Sequence, residues 1–291
     1  MAVTVQSVSS VARNTASTTL TITKPTGLAV GDLMVAHLVR SDNTQISPTW
    51  SLAGWTTAVD VSGNDTGIGS SGMAALYKIA DSGDVAASDF TFTISSVDFL
   101  AGAIYRISGQ SPSAPMNASA SAFVNNDETP SFGNTITPTE ADCLLLMLVH
   151  HVAGSSSSKE TSAYAITTSN PTWTEAYDNH NSTLTTIAGA YANRPELTAT
   201  GNSSFTSSGD NTTDSGSIVL AIKPIISVTT TVDALSVTVS LPAPTIQGGA
   251  NVSVGTVSVT VSINAPIVRN LIEWTNSEAK ASLDWTNLDK E

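Results

Sequence analysis

An internal duplication is the feature that most constrains the fold of this chain of 291 residues. The apolar run Gly31–Val39 is followed by a tryptophan at position 55, and the similar run Ala141–Val149 is followed by one at position 173. Two more pairs of segments continue in the same order, 74–78 with 188–192 and 103–107 with 218–222. A repeat at a shift of roughly 110 to 118 residues predicts one architecture built from two related halves.

The local pattern is that of β-strands. Short runs rich in valine, isoleucine, threonine and leucine alternate with clusters of glycine, proline, asparagine and serine. Phe90–Ile94 places apolar side chains on one face and threonine on the other, which indicates a half-buried strand. Leu33–Val39 and Cys143–Val149 are apolar on both faces, as in strands at the centre of a sandwich. We expect little helix.

We therefore predict an all-β fold: a jelly-roll-like antiparallel β-sandwich over residues 1–224, built from two internal repeats at about 15–110 and 124–224. Each half shows about five strand signals, fewer than the roughly seven of a closed sandwich. We expect the halves to share one core, each contributing strands to both sheets. Residues 109–123 are expected to bridge them.

A second repeat follows in residues 225–269, a segment rich in valine, serine, threonine and proline. The twelve residues 235–246 recur at 257–268 with seven identities. Two or three such strands have one apolar face but are too few to form a core alone. We expect other copies of the chain to cover that face in a stalk or collar, as in a homotrimer.

The tail, residues 270–291, contains a third repeat. Ile272–Asn276 returns as Leu283–Asn287, each with a tryptophan in the middle. Tryptophan is the residue most enriched at binding hot spots, so Trp274, Trp285, Ile272 and Leu283 are candidates for partner docking. In the alternative interpretation they pack on their own stalk.

Composition favours a β-rich extracellular or virion protein, since only 12% of residues are charged and 5% are aromatic. The formal net charge of -13 argues against nucleic-acid binding. Cys143 is the only cysteine and lies within an apolar run, which predicts a buried, inert thiol and no disulfide. Met1–Val5 lacks signal-peptide features. The longest apolar run, seven residues, is far shorter than the about 20 that span a bilayer; we expect no membrane insertion.

Two features of the sequence bear on possible chemistry, a glycine pattern and the histidines. Gly67–Gly72 fits a dinucleotide-binding glycine pattern, but a turn precedes it and a strand pattern follows, so a loop is favoured. The four histidines are His37, His150, His151 and His180. Three of them lie near the ends of the duplicated central strands and could approach each other, yet no metal-ligand spacing supports a site. We predict no catalytic residue, cofactor or metal.

Acidic residues allow two further interpretations. Asp60 and Asp178 each follow a repeated tryptophan by five residues and could form a glycosidase pair. Their equivalence favours a structural role, such as capping a turn. Acidic loops at 125–128 and 209–214 could bind calcium but lack EF-hand spacing, so solvated loops are favoured.

Trp55 and Trp173 are candidates for glycan contact, because aromatic side chains on sandwich loops can stack on sugar rings. Each tryptophan also opens a strand at matching places in the two halves. A structural role in the core is therefore the favoured interpretation.

Several segments together carry a family resemblance: Val30–Ala36, Gly54–Thr56, Ala75–Ala80, Phe90–Thr93, Ala103–Gly109 and Ser113–Ala118. Residues 15–224 resemble a duplicated β-sandwich domain of tailed-phage virion structural proteins, also found in some bacterial surface proteins. The family offers no catalytic motif to transfer. The resemblance implies a non-enzymatic head spike, capsid decoration or tail fibre subunit, made in the host cytoplasm and displayed on the virion surface, with major capsid or tail proteins as partners.

Two other functions stay open at this point. The runner-up is a carbohydrate-binding adhesin or receptor-binding module that attaches the particle to a host surface glycan. A glycan hydrolase or lyase is the enzymatic alternative, for which the sequence gives no positive motif.

Overall fold

The computed structural model describes residues 2–42, 49–65, 69–124, 130–152, 160–180, 185–207 and 215–225. Strands dominate these ranges, and a single short α-helix, α1 (Ser82–Ala86), occurs in them. The prediction of an all-β fold with little helix is confirmed. Residues 226–291, which include most of the valine-rich repeat and the whole tail, lie outside the described ranges.

The two halves divide the strands between them. The first half contains β1 (Thr4–Ala12), β2 (Ser17–Thr23), β3 (Leu33–Asp42), β4 (Thr56–Asp65), β5 (Gly69–Ile79) and β6 (Asp89–Ser108). The second half contains β7 (Met116–Val124), β8 (Ser131–Phe132), β9 (Cys143–Val152), β10 (Thr161–Ile166), β11 (Thr174–His180), β12 (Thr185–Arg194), β13 (Ser203–Ser207) and β14 (Ser215–Ile222).

Each half has one large and one small antiparallel sheet. In the second half the large sheet runs β7-β14-β9-β12-β11 and the small sheet runs β10-β13-β8. Numbered within that half, the orders are 1-8-3-6-5 and 2-7-4, which is the jelly-roll arrangement with the fifth strand turned back onto the sixth. The first half repeats it as β1-β6-β3-β5-β4.

The long strand β6 takes two places in the first half. Its N-terminal part pairs with β2 in the small sheet, and its C-terminal part pairs with β1 and β3 in the large sheet. An isolated bridge between Ser51 and Thr93 stands where the second half has β10 beside β13. The single strand β6 therefore takes the places that β13 and β14 occupy in the second half.

Three apolar clusters join these sheets into four layers. The central core lies between the two large sheets and includes Val35, Tyr105, Leu146, Ile187 and Leu220. The outer core of the first half lies under its small sheet and includes Leu20, Ile22, Trp50, Phe92 and Ile104. The outer core of the second half includes Phe132, Met147, Ile166, Phe205 and Val219. The alternation of Phe90–Ile94 and the central position of β3 and β9 are as predicted.

The pairing registers define which residues of the two halves are equivalent. Leu33 pairs with Ile107, and Leu144 pairs with Ile222, at the corresponding points of the two large sheets. Leu33 therefore corresponds to Leu144, not to Cys143 as the apolar runs suggest. A shift of one residue moves every side chain to the opposite face of the sheet, and Cys143 does lie in the outer core whereas Leu33 lies in the central core.

Backbone irregularities recur at equivalent places. The edge strand β4 has a bulge between Thr57 and Val59, and β11 has one between Glu175 and Tyr177. Gly31 and Asp142, both just before a central strand, have φ of 91° and 57°. Such left-handed conformations favour glycine, and aspartate is among the residues that tolerate them. These shared details confirm a duplication in the fold as well as in the sequence.

The β-sandwich built from two internal repeats is confirmed, but the expected division of strands is wrong. Each half supplies complete sheets of its own, and the shared core lies between the inner faces of the two large sheets. The halves also begin earlier than predicted, because β1 and β7 are equivalent strands. The bridge is accordingly 109–115, since 116–124 is a strand.

The first and last described residues of the chain lie close together at one end of this double sandwich. The backbone of Ile225 donates a hydrogen bond to the carbonyl of Gly109 at 2.9 Å. A Cβ placed on Gly109 would come within 2.2 Å of the Ala2 carbonyl oxygen. The start of the described chain, the bridge and the exit of the chain toward residue 226 therefore share one end of the molecule.

Candidate functional site

Trp55 and Trp173 are both half-buried, just before β4 and β11. The ring of Trp55 packs edge-on against Phe90 and Phe92, with centroid distances of 5.7 and 5.1 Å. Trp173 packs on the outer core of the second half, and its Nε1 donates to Asn170 Oδ1 at 3.0 Å. Each ring thus seals the margin of an outer core while keeping one part accessible.

Asp60 and Asp178 perform the same task in the two halves. Asp178 Oδ2 accepts the backbone N–H of Thr161 at 2.5 Å, and Asp60 accepts that of Trp50. Burial raises the pKa of Asp178 to about 6, although the Thr161 N–H opposes that rise. Asp178, on the edge strand β11, thus binds the first residue of β10 in the small sheet. Asp60, on the edge strand β4, binds Trp50, which precedes the bridge residue Ser51. This geometry favours the structural interpretation over a catalytic pair.

The glycine pattern at 67–72 runs into a strand. β5 begins at Gly69 and continues to Ile79, where a dinucleotide-binding motif requires a helix. The loop interpretation is wrong for Gly69–Gly72, which belong to β5, and residues 67–68 lie outside the described residues. The acidic loops at 125–128 and 209–214, and the docking candidates Ile272, Trp274, Leu283 and Trp285, also lie outside them.

Cys143 is fully buried, as predicted. Its Sγ donates to the Glu140 carbonyl at 3.2 Å. Burial raises the pKa of the thiol to about 11, so the nucleophilic thiolate is a minor species at neutral pH.

The histidines are divided among different environments. His37 and His150 are fully buried and face the central core, from β3 and β9 respectively. His151 lies on the opposite face of β9, against Thr161 and Phe205. His180 is exposed at the end of β11. Within the described ranges, no three residues of His, Cys, Asp and Glu form a group able to hold a metal ion.

The contact between the inner faces of the two large sheets, hereafter the seam, contains a buried polar cluster. We define the seam cluster as His37, Tyr105, His150 and Tyr177. His37 Nδ1 lies 2.6 Å from the hydroxyl of Tyr177, which joins the first half to the second. The rings of Tyr105 and Tyr177 meet edge to face at a centroid distance of 5.6 Å.

Gly189 provides the space for this cluster. A Cβ on Gly189 would lie 2.2 Å from the Tyr105 hydroxyl and 2.7 Å from that of Tyr177. These distances are shorter than any ordinary contact, so a side chain here would displace one of the tyrosines. The equivalent residue in the first half is Ala75, and the residues equivalent to Tyr105 and Tyr177 are Leu220 and Val59, which carry no hydroxyl.

Burial dominates the electrostatics of the seam cluster. It lowers the pKa of His150 to about 4, despite the hydrogen bond from its ring to the Thr186 carbonyl, and Arg40 lowers it further. It also holds the pKa of His37 well below its usual range, with a further decrease from His150. Both imidazoles are therefore neutral at pH 7. Burial raises the pKa values of Tyr105 and Tyr177, which stay protonated.

Sequence reasoning anticipated that His37 and His150 could approach across the core, but it missed both tyrosines and Gly189. A comparison of the two halves at the correct register carries the signal. In that alignment Tyr177 is equivalent to Val59, and His37 is equivalent to Leu148. Polar residues therefore occur in one half where the other half has aliphatic ones.

The two ends of the sandwich differ in what they present. At the end where the chain enters and exits, Glu140–Asp142, Asn193, Pro195 and Ile225 line a surface groove beside Ala2. The described strand ends Asp42, Asp65, Val124, Val152, His180 and Ser215 lie at the other end of their sheets. Met73 of the first half and Gly216 of the second, both near those strand ends, lie within contact distance of each other. The corresponding ends of the two halves therefore lie side by side.

In the part of the chain that the structure describes, no helix has the length and hydropathy to cross a bilayer. Comparison with family models, curated proteins and solved structures finds no match to this chain.

Proposed function

We propose that this chain is a structural subunit of a virion, of the tailed-phage type that its sequence resembles, and that it displays a double jelly roll on the particle surface. The observation that supports the proposal is the position of the chain ends. Ala2, the bridge at Gly109 and the exit at Ile225 lie together at one end of the sandwich. A particle that holds the chain by this end would present the opposite end outward.

The structural role of the chemistry-bearing residues supports the same proposal. Asp60 and Asp178 fasten strands, Cys143 is buried, and His37 and His150 lie in the central core. In the described ranges these side chains make their contacts within the sandwich. A head spike, decoration protein or tail fibre needs a stable displayed body of this kind, and residues 226–291 would supply the oligomeric anchor.

Light scattering tests the anchor. The full chain should be a trimer, whereas a truncation to the compact unit Met1–Thr231 should be a monomer. A monomeric full-length chain would contradict the stalk hypothesis. Gold labelling of the chain on purified particles, imaged by electron microscopy, then tests whether it occupies the head, the tail or neither; absence from particles would sink the proposal.

A carbohydrate-binding adhesin is the second candidate, and the outer faces of the small sheets favour it. On the first half Thr21 and Thr91 pair their hydroxyls at 2.9 Å, and Ser51 and Thr93 pair theirs at 3.0 Å. The equivalent positions of the second half also carry hydroxyls, namely Ser131, Ser204, Ser162 and Thr206. Together with the accessible parts of Trp55 and Trp173, these hydroxyl-rich faces suit a glycan.

A glycan array separates the two candidates. The adhesin hypothesis expects binding by the full chain that falls at least tenfold in Trp55→Ala, Trp173→Ala or Thr91→Val. Thr4→Val, an exposed threonine on β1, is the matched control and should bind normally. Wild-type protein that binds no glycan on the array would leave the purely structural role.

A further inference from the structure

The seam cluster breaks the symmetry of the two halves. Residues at equivalent register are His37 and Leu148, Val39 and His150, Tyr105 and Leu220, and Val59 and Tyr177. At every position of the cluster, the other half carries an aliphatic side chain in the same core. The fold therefore accommodates an apolar residue at each of these places.

Polar groups in such a core carry an energetic penalty. Buried polar atoms without partners destabilise a fold, and well-packed apolar replacements are often neutral or stabilising. His37 Nε2 and His150 Nε2 are both buried, and neither has a hydrogen-bond partner among the described residues. Since the fold does not require these histidines, a property other than packing accounts for them.

The hydrogen bonds show where a proton would enter. His150 Nδ1 lies 3.0 Å from the Thr186 carbonyl, which can only accept, so Nδ1 carries the hydrogen. The unpartnered Nε2 is then the basic atom of His150. His37 Nδ1 contacts the Tyr177 hydroxyl, which can donate or accept, so either ring nitrogen of His37 can be the basic one; its Nε2 is likewise buried without a partner. Proton uptake by either ring would place a charge inside the apolar seam.

Among the described residues, the charged side chain that acts on these histidines is Arg40, which is itself paired with the buried Asp98 carboxylate at 3.7 Å. The groups that act on the two histidines are His150 on His37, and Arg40 from β3 on His150. Tyr177 from β11 and Tyr105 from β6 complete the cluster, with Tyr191 from β12 acting on Tyr105. Asp178 and Tyr164 act on Tyr177. Arg40 adds positive charge, which opposes protonation of the closed seam.

We propose that the seam is an acid-operated latch, in which proton uptake by His37 and His150 parts the two jelly rolls while each half keeps its own outer core. The latch is a property of the fold additional to the proposed display function. Parting would expose the apolar inner faces of both large sheets, and these faces then become available to a new partner.

The direction of the pH dependence follows from the two histidines. In the closed seam their pKa values are lowered, to about 4 for His150, whereas in an opened, hydrated seam they approach the ordinary 6.5. The open state therefore binds more protons than the closed state as the pH falls below about 6.5. Stability of the closed seam is complete above that pH and decreases until the closed-state pKa is passed.

The test is an acid titration of the full chain from about pH 7.5 to 3.5. Binding of an apolar fluorescent dye reports exposure of the inner faces, X-ray scattering reports separation of the halves, and far-ultraviolet circular dichroism reports retention of strands. Wild type should open reversibly with its strand signal retained. In His37→Gln/His150→Gln, whose amides still form hydrogen bonds but do not titrate, the midpoint should move at least about one pH unit lower.

His151→Gln is the matched control, because it removes a histidine from the next position of β9 but on the opposite face. It should open at the wild-type midpoint. If the double variant opens at the wild-type midpoint, or if wild type loses its strand signal in the same step as it binds dye, the latch does not exist.

A second variant covers the case in which the glutamines prevent folding. It takes each aliphatic residue from the other half: His37→Leu, Tyr105→Leu, His150→Val and Tyr177→Val. This chain should fold at pH 7 and stay closed in acid. If neither variant folds at neutral pH, the polar residues are required for packing and the proposal is overturned.

Discussion

The hydrogen bond between His37 and Tyr177 joins residues that are 140 positions apart and belong to different halves of the molecule. Its donor and acceptor atoms are 2.6 Å apart in a core where both side chains are inaccessible or nearly so. The residues equivalent to His37 and Tyr177, each in the other half, are Leu148 and Val59, which are both aliphatic. The polar residues of the seam cluster thus distinguish the two sides of a seam that is otherwise built from related strands.

Removing the hydroxyl in Tyr177→Phe should destabilise the fold by about 1–3 kcal/mol, because it leaves His37 Nδ1 buried without a partner. Urea unfolding at pH 7.5 measures the change. Tyr77→Phe, a half-buried tyrosine of β5 outside the seam cluster, is the control and should change stability far less. Equal losses in the two variants would contradict a special role for the His37 contact.

Adding one methyl group in Gly189→Ala should destabilise the fold by about 1–3 kcal/mol through overpacking against the Tyr105 and Tyr177 hydroxyls. Gly133→Ala is the control, since a Cβ there meets no atom within 4 Å. Thermal unfolding of both variants tests the difference. The triple variant Gly189→Ala/Tyr105→Leu/Tyr177→Val should recover stability, because it removes both hydroxyls and introduces the residue types of the equivalent positions, Ala75, Leu220 and Val59.

The sequence predicts the strands better than their arrangement. Apolar runs on both faces identify β3 and β9 as central strands, and the alternation of Phe90–Ile94 identifies a half-buried one. The sequence does not predict a separate jelly roll in each half, because β6 spans 20 residues and enters two sheets without a turn signal between them. The alignment of Leu33 with Cys143 failed by one residue, since a run that is apolar on both faces carries no information about which face points inward.

The seam could be predicted only in part, for a related reason. The ends of the duplicated strands place His37 and His150 near each other. Tyr177 reaches the seam through the bulge between Glu175 and Tyr177, which shifts the facing of the strand. A bulge has no reliable signature in the sequence, so the partner of His37 becomes visible only in three dimensions.

Replacing the tethering carboxylate in Asp178→Asn should flatten the pH dependence of stability between about pH 4 and 6. Burial raises the pKa of Asp178 to about 6, so the wild-type contribution is greatest when the group is protonated and decreases as the pH rises through 6. The asparagine amide keeps an acceptor for the Thr161 N–H without the charge. Urea midpoints across this range measure the effect, with the exposed Asp89→Asn as control. A variant that keeps the wild-type slope would contradict the assignment.

Separating the two halves provides the strictest check of the seam. Fragments 1–112 and 113–231, made as separate chains, should associate with each other because each bears an apolar inner face. Each fragment alone should form a weaker homodimer, since a twofold pairing of the first half sets His37 against Val59, and one of the second half sets Tyr177 against Leu148. Each homodimer buries a polar atom without its partner, so each should be less stable than the heterodimer. Native mass spectrometry of an equimolar mixture should therefore show predominantly the heterodimer, and in Tyr177→Phe its excess should fall toward the statistical ratio. A statistical ratio with wild-type fragments would show that the contact between His37 and Tyr177 does not direct the pairing.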